Sequence, residues 1–501
     1  MRKLILSVFA FTLSTAASAQ QLAFPGAEGF GRFATGGRGG KVYHVTNLND
    51  TGSGSFRDAV SSPNRIVVFD VAGVIRLKSR VPVSKNIYIA GQTAPGEGIT
   101  LYGNGLSFSG ASNTICRYLR VRMGVVGDSG ADALGIANGE NIIFDHCSVA
   151  WGRDETFSIS GESAKNITIQ NSIISQGLLG HSAGGLIQTD GGVTIYRTLY
   201  MNNDTRNPKF KGRHQYVNNI VYNWKTAAYI MGGNSEGTSY ANATGNVFIT
   251  GPTGKANAFS GANERYNIYA KDNVIDDNHD GVLSFRDIQE SEFGGGPTFQ
   301  DEPYDYPELP TVDARGLTDD LLPTVGASLP YRDNLDWMLI SDLRSWGLRG
   351  EIISDERTLD IGAPDTWNLW PGAAATDTDG DGMPDAWETA NGLNPSNAND
   401  GKTYTIDSKG YYTNLEVYLN SLVEDIMKGG NADAENAIDE YYPQYSTPTG
   451  INGTNQSVAL TKTTYTTLSG RNISEADAQK GVFIVVEHFA DGSKHAKKVV
   501  K

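Results

Sequence analysis

The sequence predicts an all-β chain wound as a parallel β-helix, and three observations carry that reading. Glycine is abundant, 59 residues in 501, and together with frequent Asn, Ser and Thr it favours short strands joined by tight turns. Charged residues make up 19% and hydrophobic ones 39%, a balance that suits a folded chain rather than a disordered one. Most telling is a recurring segment: "IIFDHCSV", "ITIQNSII", "VTIYRTLY", "QYVNNIVY", "NATGNVFI" and "YAKDNVID". Aligned, these place His146, Asn171, Arg197, Asn219, Asn246 and Asn273 at one equivalent position, repeating every 22 to 27 residues. Such a period is too long for a hairpin meander and too short for a βαβ unit with its helix. It fits a solenoid coil of about three short strands.

An asparagine at a fixed corner can adopt the left-handed conformation and bond its counterpart in the next coil, forming a ladder. Ile142, Ile167, Val193 and Ile220 are then expected to fill the stacked interior. The segments "RIVVFDVAGVIRL" and "KNIYIAGQTAPGEGITLYGNG" read as the first coils.

The ends read differently. "MRKLILSVFAFTLSTAASAQ" has Arg2 and Lys3, an apolar run from Leu4 to Leu13, and Ala17-Ser18-Ala19, the pattern of a secretory signal removed after residue 19. The run is too short to span a membrane, so no membrane span is expected. The formal charge of −15 becomes more negative still once Arg2 and Lys3 leave, so nucleic acid is not an expected partner. Cys116 and Cys147 fall at positions of opposite parity in the strand register, which predicts side chains on opposite faces and no disulfide.

After about residue 300 the periodicity fades into Pro- and Asp-rich loops. We place the solenoid at 20–370, a loop and helical segment at 371–430, a linker at 431–454 and a small β module at 455–501. Within the second of these, "DTDGDGMPDAWE" fits the twelve-residue calcium-loop template. Asp377, Asp379 and Asp381 stand at positions one, three and five, Gly382 at the turn, Asp385 at nine and Glu388 at twelve. "DDNHDGVLSFRD" is a second match, with Asp276, Asn278, Asp280, the Val282 carbonyl and Ser284 in place, but Asp287 where a glutamate is usual. A third acidic set is dispersed: Asp132, then Asp154 and Glu155 in "WGRDETFSI", segments one coil apart that a β-helix would stack side by side. Opposite these acids stands "TRNPKFKGRH", which crowds Arg206, Lys209, Lys211 and Arg213 into eight positions of an acidic chain.

"AFPGAEGFGRFATGGRGGKVYHVTNLNDTGSGSFRDAV", "IFDHCSVAWGRDETFSISG" and "TRNPKFKG" together resemble secreted pectate lyases of polysaccharide lyase family one, of the fungal-type branch also found in bacteria. The resemblance spans roughly residues 22 to 425, both calcium loops included. It implies a right-handed parallel β-helix that cleaves de-esterified polygalacturonate by calcium-dependent β-elimination, acting as a secreted monomer. The family's R-x-P-x-x-R motif implies that Arg206 is the catalytic base, with Pro208 in place. Its last position here is Lys211, and Arg213 is an alternative source of the substrate-binding guanidinium. Calcium carboxylates carry over to Asp132 and Asp154, while the third expected acid falls at Ser158, leaving Glu155 or a water to complete the shell. A lysine usual in the family has no counterpart, and His181 is the nearest polar residue; His181, Lys209, Lys211 and Arg213 are the substrate-binding candidates.

A guanidinium is an unusual base, so His181 and His214 stand as the conventional alternatives. Two other classes stay open: a β-helix glycosidase using Asp154 and Glu155 as its paired carboxylates, and a calcium-dependent glycan-binding β-helix with no base at all. The tail at 455–501 resembles small sorting modules of type IX bacterial secretion, with a plain accessory module as the other reading.

Overall fold

The computed structural model describes residues 21–233, 237–254, 257–407 and 409–423, and the strands Leu460–Thr467, Asn472–Ile473, Val482–Phe489 and Lys494–Val500. The expected signal at 1–19 and linker at 431–454 lie outside the described residues. Two compact units divide the chain, Met1–Pro443 and Gln444–Lys501.

The first unit is a parallel β-helix. Each coil contributes one strand to each of three faces. Face 1 includes Leu134–Ala137 and Phe157–Ser160, face 2 Glu140–Asp145 and Lys165–Gln170, and face 3 Ser148–Ala150, Ile173–Ser175, Leu199–Met201 and Ile220–Tyr222. Strands pair in parallel with the same strand one coil on, as in Ile142↔Ile167 and Ile167↔Val193. Two strands are long enough to turn the corner from face 1 to face 2: Leu186–Tyr196 and Lys209–Val217. Their pairing register breaks between Thr189 and Val193, where Gly192 and Gly212 take φ of 89° and 86°. A Cβ on Gly212 would overlap the Thr189 carbonyl, so the corner admits only glycine there.

Ile142, Ile167 and Val193 are fully buried in the central row, as expected, each worth about 1.5–3 kcal/mol of transfer free energy. Ile220 departs from the expectation. It is buried outside face 3, against helices Leu317–Leu321 and Asn334–Leu343, and its neighbour Val221 points inward instead.

The asparagine ladder also divides differently. The left-handed residues at the corner between faces 2 and 3 are His146, Asn171, Arg197 and Asn218, then Gly245 and Asp272. The ladder is one residue further on. Asn219 Nδ2 donates to Asn246 Oδ1 at 3.1 Å and Asn246 Nδ2 to Asn273 Oδ1 at 2.9 Å, all three residues being buried. Ser172 accepts from Cys147 N at 3.1 Å, and Asn219 Oδ1 from Thr198 N at 2.9 Å, at the equivalent position of earlier coils. The sequence alignment therefore slipped by one residue in its last three members, because both adjacent positions favour asparagine.

The same corner corrects the cysteine expectation. The left-handed turn at His146 breaks strand alternation, so Cys116 and Cys147 both enter the central core. Their Sγ atoms are 3.8 Å apart and both thiols are free.

Faces 2 and 3 are covered. The 314–343 helices bury the outside of face 3. The segment 22–34 and helix Asn414–Ser421 bury the outside of face 2, against Ile66, Val68, Ile115 and Ile143. Face 1 turns outward Gly135, Ser158, Gln188, Lys209, Lys211, Ile230 and Ser260, and the apolar clusters of the described residues leave it uncovered. That uncovered polar face carries the site. The second unit contains a four-stranded antiparallel sheet built from the strands of 460–500.

Replacing Asn246 by Ala leaves the backbone N–H of Asn219 without its acceptor, at a cost of about 1–3 kcal/mol per unsatisfied group. Chemical unfolding of Asn246→Ala is expected to show that loss. Asn64→Gly, which removes only the exposed acceptor of Asn86 Nδ2 and sits at φ 61° without backbone strain, is expected to lose less.

Candidate active site

On the edge of face 1, one loop per coil stacks on the next. Ala133 N donates to Glu155 O at 3.2 Å, Thr156 N to Ala183 O at 2.8 Å, and Gly184 N to Thr205 O at 3.0 Å. Those bonds bring together Asp132, Asp154, Glu155, His181 and Arg206 from four successive coils.

Asp132 Oδ1 accepts from the Glu155 backbone N–H at 3.1 Å, and its carbonyl accepts from Arg80 Nη1 at 2.6 Å. Burial pushes the Asp132 carboxyl up to about 6, with Arg80 opposing and Asp154 reinforcing the shift. Ser158, where the family pattern has an acid, opposes the Asp132 shift, and its Oγ accepts from Leu186 N at 3.2 Å. Asp154 Oδ1 meets His181 Nδ1, so His181 belongs to the carboxylate cluster rather than to the row of cations. Glu155, 5% exposed, meets Arg206 Nη1 through Oε1. Ligand atoms of Asp154, Glu155 and His181 lie within 4.8 Å of one another.

Arg206 sits just ahead of the strand Lys209–Val217 in a left-handed conformation, φ 55°. Behind it, Asn203 Nδ2 donates to Asn207 Oδ1 at 2.9 Å and Asn207 Nδ2 to Ala227 O at 3.2 Å, both amides buried. Arg206 and Lys209 line an open cleft of about 560 Å³ with Thr205, Ile230, Gly233, Gly261 and Ala262. Burial, then Arg206, lowers the Lys209 ammonium from its ordinary value. Lys211 lies on the same outward row, opposite Gln188. Among the described residues neither lysine makes an ion pair, so both remain available to a polyanion.

Arg213 is a correction. Beyond the Gly212 corner its guanidinium lies on face 2, 5.0 Å from the ring centroids of both Phe30 and Tyr306, away from the cleft. His214 is another. It is buried in the solenoid interior, stacked at 3.9 Å on Phe210, with Nε2 at 2.8 Å from Tyr229 Oη. Burial lowers its imidazole to about 3, and it reaches no solvent-borne substrate. Arg80 was not singled out in the sequence, since an isolated arginine far from any motif carries no signal; Asn203 and Asn207 were likewise hidden among many asparagines.

No family model matches the chain. Curated relatives do. A Neosartorya fischeri protein named "Probable pectate lyase C" is 51% identical over 422 residues, 84% of this chain and 97% of that protein. Its namesake in Emericella nidulans is 52% identical over 410 residues, 81% and 93% of the two chains. The chain belongs to the pectate lyase family. Among solved structures, a pectate lyase bound to a hexasaccharide superposes with a TM-score of 0.44 at 14% identity, covering 62% of this chain and 99% of that one.

At the edge of face 1, ligand atoms of Asp154, Glu155 and His181 converge, and Asp132, held by the Glu155 N–H, adds a carboxylate beside them; these are mostly the hard oxygens calcium takes, with no thiolate among them. The set fits. The loop 276–287 fits less well. Asp276 Oδ2 accepts from Ser284 N at 3.0 Å, Asn278 Oδ1 from Asp280 N at 3.1 Å, and Asp280 Oδ1 from Val282 N at 2.8 Å, a run of turns. Asp287 is a correction: it pairs in the antiparallel strand Arg286–Asp287, and its carboxylate accepts from Arg315 Nη2 at 2.6 Å rather than closing the loop.

In the loop 377–388, Asp377, Asp379 and Asp381 converge within 4.8 Å. Asp385 does not join them, because it accepts from Thr378 N at 2.7 Å and Thr378 Oγ1 at 2.6 Å. Burial and then neighbouring acids raise Asp381 to about 6 and Glu388 to about 7.

A folded imidazole at about 3 against an ordinary 6.5 means that the unfolded chain takes up the His214 proton first as pH falls. That residue therefore removes stability between about pH 6.5 and 3, by up to about 1.4 kcal/mol per pH unit. Unfolding of His214→Gln across this window is expected to show a shallower pH slope than the parent, while lyase activity at neutral pH survives.

Proposed function

We propose that the chain is an exported pectate lyase that cleaves de-esterified polygalacturonate by calcium-dependent β-elimination, with Arg206 as base. The observation that carries this is the juxtaposition of Arg206 and the free cations Lys209 and Lys211 with three carboxylates on one uncovered face. Family membership at about half identity over most of the chain supports the reaction class. The signal-like pattern of residues 1–19 supports export, and no helix among the described residues is long and apolar enough to cross a membrane.

The chemistry requires removal of a proton alpha to a uronate carboxylate, followed by loss of the 4-oxygen and formation of a 4,5-unsaturated end. A carbanion beside an anion is strongly disfavoured, so positive charge must meet the carboxylate as negative charge develops. Calcium held by Asp132, Asp154 and Glu155 would supply charge neutralisation to the uronate. Lys209, which lines the cleft, and Lys211, two residues on along the same strand, bind uronate carboxylates as point charges and align the sugar chain along face 1. Arg206, oriented by Glu155 at one nitrogen and by the Asn203–Asn207 amides behind its backbone, takes the proton. His181 is engaged by Asp154 and serves the acid cluster.

The glycosidase reading loses its support in this geometry. Retaining and inverting enzymes hold their carboxylates about 5–9.5 Å apart across the sugar. Asp154 and Glu155 are adjacent in sequence and each is engaged by a cationic side chain, His181 or Arg206, instead of flanking an open sugar site.

Incubation with polygalacturonate is expected to release products absorbing in the ultraviolet, to stop in excess chelator and to slow as methyl esterification rises. Equal rates on fully methylated pectin, or full activity in chelator, would overturn the proposal. Arg206→Lys keeps the cation but misplaces the base, so kcat is expected to fall about 10²–10⁴-fold with KM little changed. Lys211→Ala is expected to raise KM with a smaller loss of kcat, and Arg213→Ala to alter neither.

A further inference from the structure

Beyond the solenoid, five buried carboxylate oxygens have no hydrogen-bond partner: Asp379 Oδ2, Asp381 Oδ2, both oxygens of Glu388, and Asp400 Oδ1. Glu388 is fully buried, so its orphaned carboxylate has neither water nor a donor to face. Such groups stay ionised only when a cation compensates them, and otherwise take up a proton. The ligand atoms of Asp381, Glu388 and Asp400 lie within 4.8 Å of one another, and Asp381 is shared with the Asp377–Asp379–Asp381 group.

We propose that a calcium ion is held here by Asp377, Asp379, Asp381, Glu388 and Asp400, with Asp400 entering from outside the twelve-residue loop and Asp385 standing outside the shell. The site lies apart from the cleft and is independent of the catalytic reading. Its donors are all carboxylate oxygens, without nitrogen or sulfur, as calcium prefers.

The surroundings of Asp400 are built for this role. Its Oδ2 is held by Asn394 N at 3.0 Å and its carbonyl by Asn414 Nδ2 at 2.9 Å, leaving Oδ1 aimed at the acids. Gly401 is buried, and a Cβ there would overlap Asp381 Oδ2, so a side chain at 401 would fill the cradle. Asp385 takes a different part. By accepting two bonds from Thr378 it fixes the loop's entry to helix Asp385–Ala390, leaving a vacancy in the linear template that Asp400 fills.

The consequence is mechanical. Asn414 opens helix Asn414–Ser421, whose Leu415 and Leu419 pack on Ile66, Val68, Ile115 and Ile143 of face 2. Glu416 of the same helix accepts from Arg38 at 2.7 Å. On the other side, His44 Nε2 lies 3.3 Å from the Gly380 carbonyl. The ion thus ties three stretches, 377–381, Glu388 and 394–414, into one clasp over the first coils.

The test uses the full-length protein, stripped with chelator and titrated with calcium alone, reading the number of tight sites by chelator competition and the melting temperature. Loss of a supporting group near a metal costs about 10–100-fold in affinity. Asp400→Asn, which is isosteric, is therefore expected to weaken or abolish one tight site by at least about tenfold and to remove most of the calcium-dependent rise in melting temperature. Gly401→Ala is expected to act in the same direction, whereas Asp385→Asn should leave affinity within about twofold. Turnover of polygalacturonate per folded molecule should persist in Asp400→Asn at saturating calcium. A parental number of tight sites and an unchanged calcium response in Asp400→Asn would overturn the proposal. So would loss of the site in Asp385→Asn with Asp400→Asn intact.

Discussion

Parallel backbone hydrogen bonds between successive coils carry the loops that hold Asp132, Glu155, His181 and Arg206. Each loop is short and could wander by itself. Bonds such as Thr156 N to Ala183 O and Gly184 N to Thr205 O fix each loop against its neighbour at strand spacing. Four residues that are distant in sequence thereby become a row of adjacent groups. The stacking needs every coil to turn its corners at the same height, and that is what the left-handed residues and the buried Ser172–Thr198–Asn219–Asn246–Asn273 position secure.

The distribution of cover over the three faces decides where chemistry can occur. Apolar outward rows on faces 2 and 3 demand a second layer, which segment 22–34 and helix Asn414–Ser421 supply on face 2 and the 314–343 helices on face 3. Face 1 has a polar outward row and needs none, so a long anionic polymer can lie along it. The net negative charge of the chain does not oppose this, because local cations in a cleft govern encounter. Among the described residues Lys209 and Lys211 make no ion pair on that face, whereas Arg206 meets Glu155.

The described acid clusters differ in exposure. Asp154, Glu155 and His181 sit at an accessible edge, half-exposed for Asp154 and His181. Glu388 and Asp381 are buried. The two clusters thus share donor chemistry but differ in exposure, one at an accessible edge and the other enclosed.

Sequence alone determined the coil period, the acidic and basic motifs and the family, because each is written in short local patterns or in their repetition. Ile142, Ile167 and Val193 were legible as core for that reason. The tertiary structure alone decided what happens at corners and across long separations. Arg213 leaves the cleft because Gly212 turns its strand from face 1 to face 2. Cys116 and Cys147 meet because His146 breaks the alternation that parity arguments assume. Ile220 faces a helical layer that no strand pattern announces. Asp400 reaches Asp381 and Glu388 only because the chain folds back beyond the loop whose spacing was read as complete, and a linear template has no term for a ligand brought in by packing.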